Sequence, residues 1–153
     1  MQKETAMEKL QFDYVTYIAA TPEKVWNALL DPKATKQYWQ HVNLSDWKPG
    51  SRWEHRSSDA KKTLHLVGKV VKFSPPRSLV LTWAAPEDAT IARKYSRVTL
   101  GLKMVRGTTR LTVTHNRLEP GSEMLTGITE GWPMVLSSLK SLLETGKALP
   151  VLW

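Results

Sequence analysis

The fold is decided by the C-terminal stretch ITEGWPMVLSSLKSLL, which occupies residues 128–143. Its apolar residues recur at helical spacings, which predicts a long helix with one apolar face. That face consists of Ile128, Trp132, Val135, Leu136, Leu139, Leu142 and Leu143. Ser122 is suited to cap the start of this helix and Gly146 to end it, whereas Pro133 predicts a kink or a restart inside it.

The N-terminal part of the chain predicts one strand followed by two short helices. Residues 10–19 are rich in aromatic and β-branched side chains, which favour a strand. Thr21-Pro22 then supplies a cap and a first helical residue, and Asp31-Pro32 repeats this signal. We expect the second helix to carry Tyr38 and Trp39.

The middle of the chain predicts further strands after a loop over residues 40–50. The alternating or β-branched segments are 51–57, 63–73, 79–83, 97–105 and 109–117. A run of antiparallel strands has one apolar face to bury, and the C-terminal helix is the element long enough to cover it. The sequence therefore predicts an α+β fold in the order β-α-α-β5-α, with a curved antiparallel sheet wrapped around the long C-terminal helix.

The length and composition are those of one ordinary domain. The chain has 153 residues, of which 41% are apolar, and its net charge is +8. It contains no cysteine, which excludes disulfides, thiolate zinc sites and a cysteine nucleophile, and fits a reducing cytoplasm. The sequence has no apolar run long enough for a transmembrane segment and starts without a secretory signal, so we expect a cytoplasmic location. We also expect a flexible N-terminal tail over residues 1–9, a single domain over 10–147 and a C-terminal tail over 148–153.

Five segments carry a resemblance to a known superfamily. They are TPEKVW (21–26), WKPGSRW (47–53), PPRSLVLTW (75–83), TRLTVTH (109–115) and GWPMVLSSLK (131–140). With this order and spacing the chain resembles the START-like superfamily, also called SRPBCC or Bet v1-like. Within it, the chain is most similar to the family related to the activator of Hsp90 ATPase C-terminal domain. The resemblance implies a helix-grip fold and a cavity for a hydrophobic ligand between the sheet and the C-terminal helix.

Seven tryptophans against two phenylalanines are the unusual feature of the composition. Strand alternation and helix periodicity turn several of them inward together with two histidines, and we expect this cluster to line the cavity. The candidate binding residues are Trp39, Trp53, His55, Trp83, Leu100, His115, Trp132 and Leu136. Their indole rings would stack on a flat ligand, and the histidine nitrogens would orient a polar group. The alternative is a solid core in which the Trp and His polar atoms are satisfied internally.

The favoured function is the binding of a small hydrophobic or amphipathic ligand, and the basic net charge suggests an anionic one. We assign no catalytic residue, cofactor or metal, because the sequence lacks a Gly-x-Ser-x-Gly elbow, a phosphate loop and a zinc-ligand pattern. One alternative is an enzyme of the polyketide cyclase or dehydratase kind, which similar folds host. It would use His115, with His55 or Tyr38, as acid and base.

Macromolecular partners are the remaining alternative. A protein-interaction module resembling the Hsp90 co-chaperone domain would need an exposed apolar patch, for which Trp39, Val42 and Trp47 are the candidates. Basic residues cluster in loops and on the outer hairpin face, away from most aromatic residues, so we expect no specific nucleic-acid partner. We expect the chain to be a monomer or a homodimer.

Overall fold

Seven strands and three α-helices are formed by residues 9–150, the part of the chain that this computed structural model describes. In chain order they are β1 (Leu10–Ile18), α1 (Pro22–Leu30), α2 (Pro32–Tyr38), β2 (His41–Ser45), β3 (Arg52–Ser57), β4 (Leu64–Ser74), β5 (Ser78–Trp83), β6 (Ser96–Val105), β7 (Thr108–Leu118) and α3 (Glu123–Thr145). Two short 3₁₀ helices, Pro86–Asp88 and Ala92–Lys94, lie in the loop between β5 and β6. Most of the expected N-terminal tail and the last residues of the C-terminal one lie outside the described residues.

The strands form one antiparallel sheet in the order β1-β7-β6-β5-β4-β3-β2. Because sequential strands from β2 to β7 are neighbours, short hairpins make most of the connections. β1 pairs with β7 and forms the edge of the sheet opposite to β2. The segment that contains α1 and α2 therefore connects the two edges of the sheet. The sheet curves around α3, which confirms the predicted α+β helix-grip class.

The structure contains one strand more than the sequence predicts. β2 lies in the segment expected to be a loop, and its residues pair in register with β3. The usual strand signal is inverted there: Leu44 is 44% exposed, whereas Asn43 is buried. Oδ1 of the buried Asn43 accepts a hydrogen bond from His55 Nδ1, a contact that alternation of apolar residues does not reveal.

The helix boundaries follow the predicted capping residues. Thr21 Oγ1 accepts from the backbone N–H of Lys24 at 3.2 Å, and Ser122 Oγ accepts from that of Leu125 at 3.1 Å. Gly146 ends α3 in the left-handed conformation, with φ at 82°. Pro133 lies inside α3, which nevertheless continues as one element, so the expected restart does not occur.

The core lies between α3 and the concave face of the sheet. The apolar face of α3 supplies five buried side chains: Ile128, Trp132, Val135, Leu136 and Leu139. The sheet supplies alternating inward residues of β6 and β7, among them Val98, Leu100, Leu111 and Val113. Within the described ranges, no helix is both long and apolar enough to cross a membrane.

Candidate ligand-binding cavity

A cavity of about 590 Å³ opens between the sheet and the N-terminal half of α3. Its buried floor is apolar and aromatic apart from one histidine, and consists of His55, Trp83, Ile128, Trp132 and Val135. Its more exposed rim is polar and comes from β4, from the loop between β5 and β6, from the loop between β7 and α3, and from the start of α3. The rim includes His65, Glu87, Asp88, Lys94, Glu119, Ser122 and Glu123.

Three tryptophans from different elements meet at this cavity. Trp39 follows α2 directly, Trp83 is the last residue of β5, and Trp132 lies on α3. The ring centroid of Trp132 lies 5.6 Å from that of Trp39 and 5.5 Å from that of Trp83. The tilted rings present both edges and faces, so the floor can contact a ligand ring in more than one way.

His55 is the polar side chain of the cavity floor. Its Nδ1 lies 2.7 Å from Oδ1 of Asn43, which can only accept, so Nδ1 carries the proton. Nε2 then holds a lone pair, and it has no hydrogen-bond partner among residues 9–150. Burial, and next the nearby His41 and His65, hold the pKa of His55 well below its usual value. His55 is therefore neutral at pH 7, with an acceptor nitrogen in a ring that lines the cavity.

His115 has a different environment. It is fully buried and does not line the cavity. Its Nδ1 accepts from Trp132 Nε1 at 3.1 Å, and its Nε2 lies 2.8 Å from Oγ of Ser96, whose hydroxyl donates to the Trp83 carbonyl. Burial lowers the pKa of His115 to about 4. Both ring nitrogens are occupied, so this histidine joins α3 to the sheet and has no free nitrogen for a ligand.

The predicted binding residues fall into three groups. Trp39, His55, Trp83 and Trp132 line the cavity. Trp53 and Leu100 lie deeper, around a void of about 20 Å³ that also touches the three cavity tryptophans. His115 and Leu136 line neither space and belong to the core. Alternation identified the inward side chains, but it does not distinguish the part of the inner face that borders an opening.

Sequence reasoning missed the charged rim. Glu87, Asp88 and Glu119 lie in loops, where no periodicity marks a functional side chain. Glu119 pairs with Lys94 at 3.1 Å and lies 3.8 Å from Arg93. Glu87, Asp88 and Glu123 have no ion-pair partner in the described part of the chain. The clusters Pro86-Glu87-Asp88 and Glu119-Pro120-Gly121 were the available signal, since binding residues often lie on loops held by a rigid scaffold.

The other candidate sites lack the required geometry. Trp47 is half-buried and its ring stacks on Phe73, with centroids 6.2 Å apart. Val42 is half-buried as well, so an exposed patch around Trp39, Val42 and Trp47 is not formed. The rings of His41 and His55 stack with their centroids 4.6 Å apart. Residues 9–150 nevertheless contain no group of three His, Asp or Glu side chains placed to hold a metal ion.

Comparison with known proteins places the chain in a family. The family model described as "Activator of Hsp90 ATPase homolog 1-like protein" matches residues 19–144. No curated protein matches the chain significantly.

Solved structures share the fold at low sequence identity. The Aha1 dimer of Colwellia psychrerythraea is 22% identical with a TM-score of 0.75, over 91% of this chain and 99% of that one. An HSP90 activator from Plasmodium falciparum is 20% identical with a TM-score of 0.71, over 90% and 96%. CalU16 from Micromonospora echinospora is 20% identical with a TM-score of 0.66, over 93% and 88%. At these identities the likeness concerns the fold.

Proposed function

The chain belongs to the family of activator of Hsp90 ATPase homolog 1-like proteins, and we propose that it binds a small amphipathic molecule between the sheet and α3. The observation that carries the proposal is the cavity of about 590 Å³. Small-molecule sites typically have about 300–1,000 Å³, an apolar lining and a few placed polar groups. The tryptophan floor and the charged rim fit this description.

Two glycines of α3 support the proposal, because they keep side chains out of the space that the helix borders. Gly127 and Gly131 both line it, and a Cβ at either position would meet no atom within 4 Å. Glycine inside a helix costs about 1 kcal/mol relative to alanine, although alanine would fit here. Larger side chains at these positions would enter the opening. Protein interiors otherwise contain few voids larger than a water molecule.

The experiment is a titration of ¹⁵N-labelled protein with 2-(1-naphthyl)ethanol, a neutral amphipathic probe, observed at the indole N–H signals. We expect the signals of Trp39, Trp83 and Trp132 to shift, while that of Trp26 stays in place. Trp26 is buried but lines neither space, so it serves as the internal control. Absence of any shift, or an equal shift at Trp26, would contradict the proposal.

Two variants at one position then separate binding from folding. Gly131→Leu should fill the opening and abolish probe binding, while the unfolding temperature stays the same or rises, since leucine favours a helix. Gly131→Ala adds a single methyl group and should retain most of the binding. If Gly131→Leu binds the probe as well as the parent does, the probe lies elsewhere.

Native mass spectrometry of the freshly purified protein completes the test. Mass that is lost on denaturation would be the natural ligand, and the native spectrum also distinguishes a monomer from a homodimer.

A second candidate function is acid–base catalysis on the bound molecule, favoured by the Asn43–His55 pair. Asn43 orients the ring, and the neutral Nε2 can accept a proton from a ligand, which is the arrangement of a general base. The test is proton–deuterium exchange next to the carbonyl of 4-phenyl-2-butanone, followed by NMR in deuterated water. Acceleration that His55→Phe removes would support catalysis. No acceleration by the parent protein would exclude it for this reaction and leave the binding proposal intact.

The Hsp90-related activity in the name of one similar structure, and in the family description, has less support in this chain. A docking module needs accessible apolar side chains at its surface. None of the three residues expected to form such a patch is exposed, and Trp39 contributes to the cavity instead. The exposed large apolar side chains are other residues, such as Val15 and Tyr17 on β1. The cytoplasmic location stays a prediction from the composition.

A further inference from the structure

We infer that the cavity selects a ligand carrying a positively charged amine on an apolar body, an inference that rests on the proposed binding function. The chain as a whole has a net charge of +8, which by itself favours anions. The charge at the cavity has the opposite sign, since its lining contains four carboxylates and one lysine. The rim charges lie closest to a bound headgroup, whereas salt screens the more distant surface charges, so the rim decides which headgroup is stabilised.

The single lysine is not available to hold an anion. Lys94 Nζ lies 3.1 Å from a carboxylate oxygen of Glu119, so its charge is already compensated. Glu87, Asp88 and Glu123 make no such pair in the described part of the chain, and they face the same opening. An anionic headgroup at the rim would meet three uncompensated carboxylates, whereas an ammonium group would be attracted by them.

The floor carries one free acceptor and one free donor, since the buried Nε1–H of Trp83 has no hydrogen-bond partner among the described residues, and its aromatic faces attract a cation. Nε2 of the neutral His55 offers a lone pair, and the faces of Trp39, Trp83 and Trp132 carry the negative side of the aromatic quadrupole. A full charge is costly to bury without a partner. We therefore place the amine at the carboxylate rim, with the apolar body of the ligand on the indole floor.

The test uses three probes with the same naphthalene body and different charge: 2-(1-naphthyl)ethylamine, 2-(1-naphthyl)ethanol and 3-(1-naphthyl)propanoate. Affinity is measured at pH 7 from the shifts of the indole N–H signals. We expect the amine to bind tightest and the carboxylate weakest. Their Kd values should differ by about tenfold, because exposed charge pairs each contribute only modestly. The difference should shrink on raising the salt from about 0.05 M to about 0.5 M, because exposed charges are screened.

A rim variant identifies the groups responsible. The triple substitution Glu87→Gln, Asp88→Asn and Glu123→Gln should reduce the affinity for the amine to that for the alcohol and leave the alcohol unchanged. Glu130→Gln is the control for the α3 member of this set: it makes the same single charge change as Glu123→Gln, at an exposed residue outside the cavity lining. It should preserve the preference for the amine.

The outcomes distinguish this inference from the function on which it rests. If the alcohol binds but the amine binds no tighter than the carboxylate, the charge selection is wrong and the binding function stands. A preference for the amine that survives in the rim variant would also overturn the inference, because the cation would then be held elsewhere. If none of the three probes shifts the cavity tryptophans, both proposals fail.

Discussion

Trp132 on α3 donates from Nε1 to Nδ1 of His115 on β7 at 3.1 Å, and the same indole ring forms part of the cavity floor. One side chain thus contributes both to the attachment of the helix to the sheet and to the candidate binding site. The ring and the N–H group can be removed separately by substitution, which makes the two contributions measurable.

Trp132→Phe retains an aromatic ring and removes the donor. It leaves the buried Nδ1 of His115 without its partner, so we expect a loss of about 1–3 kcal/mol in the free energy of unfolding. Trp132→Ala removes the ring as well and should cost about 3–5 kcal/mol. Urea denaturation followed by circular dichroism measures both.

The control for these variants is Lys103→Ala on the exposed outer face of β6. Exposed charges contribute little, so this change should stay within about 0.5 kcal/mol of the parent protein. A Trp132→Phe variant as stable as Lys103→Ala would show that the hydrogen bond to His115 contributes nothing net.

Protonation of His115 should make stability depend on pH. Its folded pKa of about 4 lies below the ordinary value of 6.5, because burial disfavours the charged ring. Between these two values the unfolded chain binds more protons at this site, so the free energy of unfolding falls as the pH falls. From pH 6.5 to about pH 5 the expected loss at His115 is about 1.5 kcal/mol.

The measurement is urea denaturation across that pH range, in the parent protein and in His115→Gln. The depressed pKa of His55 acts in the same direction and is present in both proteins, so it cancels in the comparison. The substitution should flatten the pH dependence. Equal slopes in the two proteins would mean that His115 is protonated as easily in the folded chain as in the unfolded one.

Much of the fold follows from local signals in the sequence. The apolar face of α3 is continuous over several turns, and Thr21, Ser122 and Gly146 mark helix ends through their own side-chain or backbone chemistry. β2 was not predicted, because Asn43 points inward and Leu44 outward. The burial of Asn43 depends on its hydrogen bond to His55, a residue of another strand. Such a pairing is decided by tertiary structure and leaves no period in the sequence.

The candidate site was predictable only in part, for a related reason. The alternation of side chains along each strand places Trp83 and His115 on the same face of the sheet. Only the assembled fold shows that Trp83 borders an opening while His115 is enclosed. The loop carboxylates Glu87 and Asp88 reach the rim because the 3₁₀ helix that carries them packs against β4, beside the opening. Their role follows from the path of the loop and not from a local pattern.

Close packing of the sheet backbone gives a third prediction, at Gly68 on β4. A Cβ there would lie 1.8 Å from the carbonyl oxygen of Thr82, a contact that only a backbone shift can relieve. Gly68→Ala should therefore prevent folding or lower the unfolding temperature strongly. Gly101→Ala on β6 is the matched control, because a Cβ at that position meets no atom within 4 Å. Thermal unfolding compares the two, and similar unfolding temperatures would contradict the close approach of β4 and β5.

The Asn43–His55 pair gives the last prediction, which concerns charge in the cavity. Asn43→Asp replaces the neutral acceptor 2.7 Å from Nδ1 with a carboxylate, which favours the protonated ring and should raise the pKa of His55. Asn43→Leu removes the acceptor and should leave the ring neutral at pH 7. NMR titration of the His55 ring signals in the two variants and the parent measures the shift directly. An unchanged pKa would mean that the hydrogen bond between these two side chains does not control the charge of the ring.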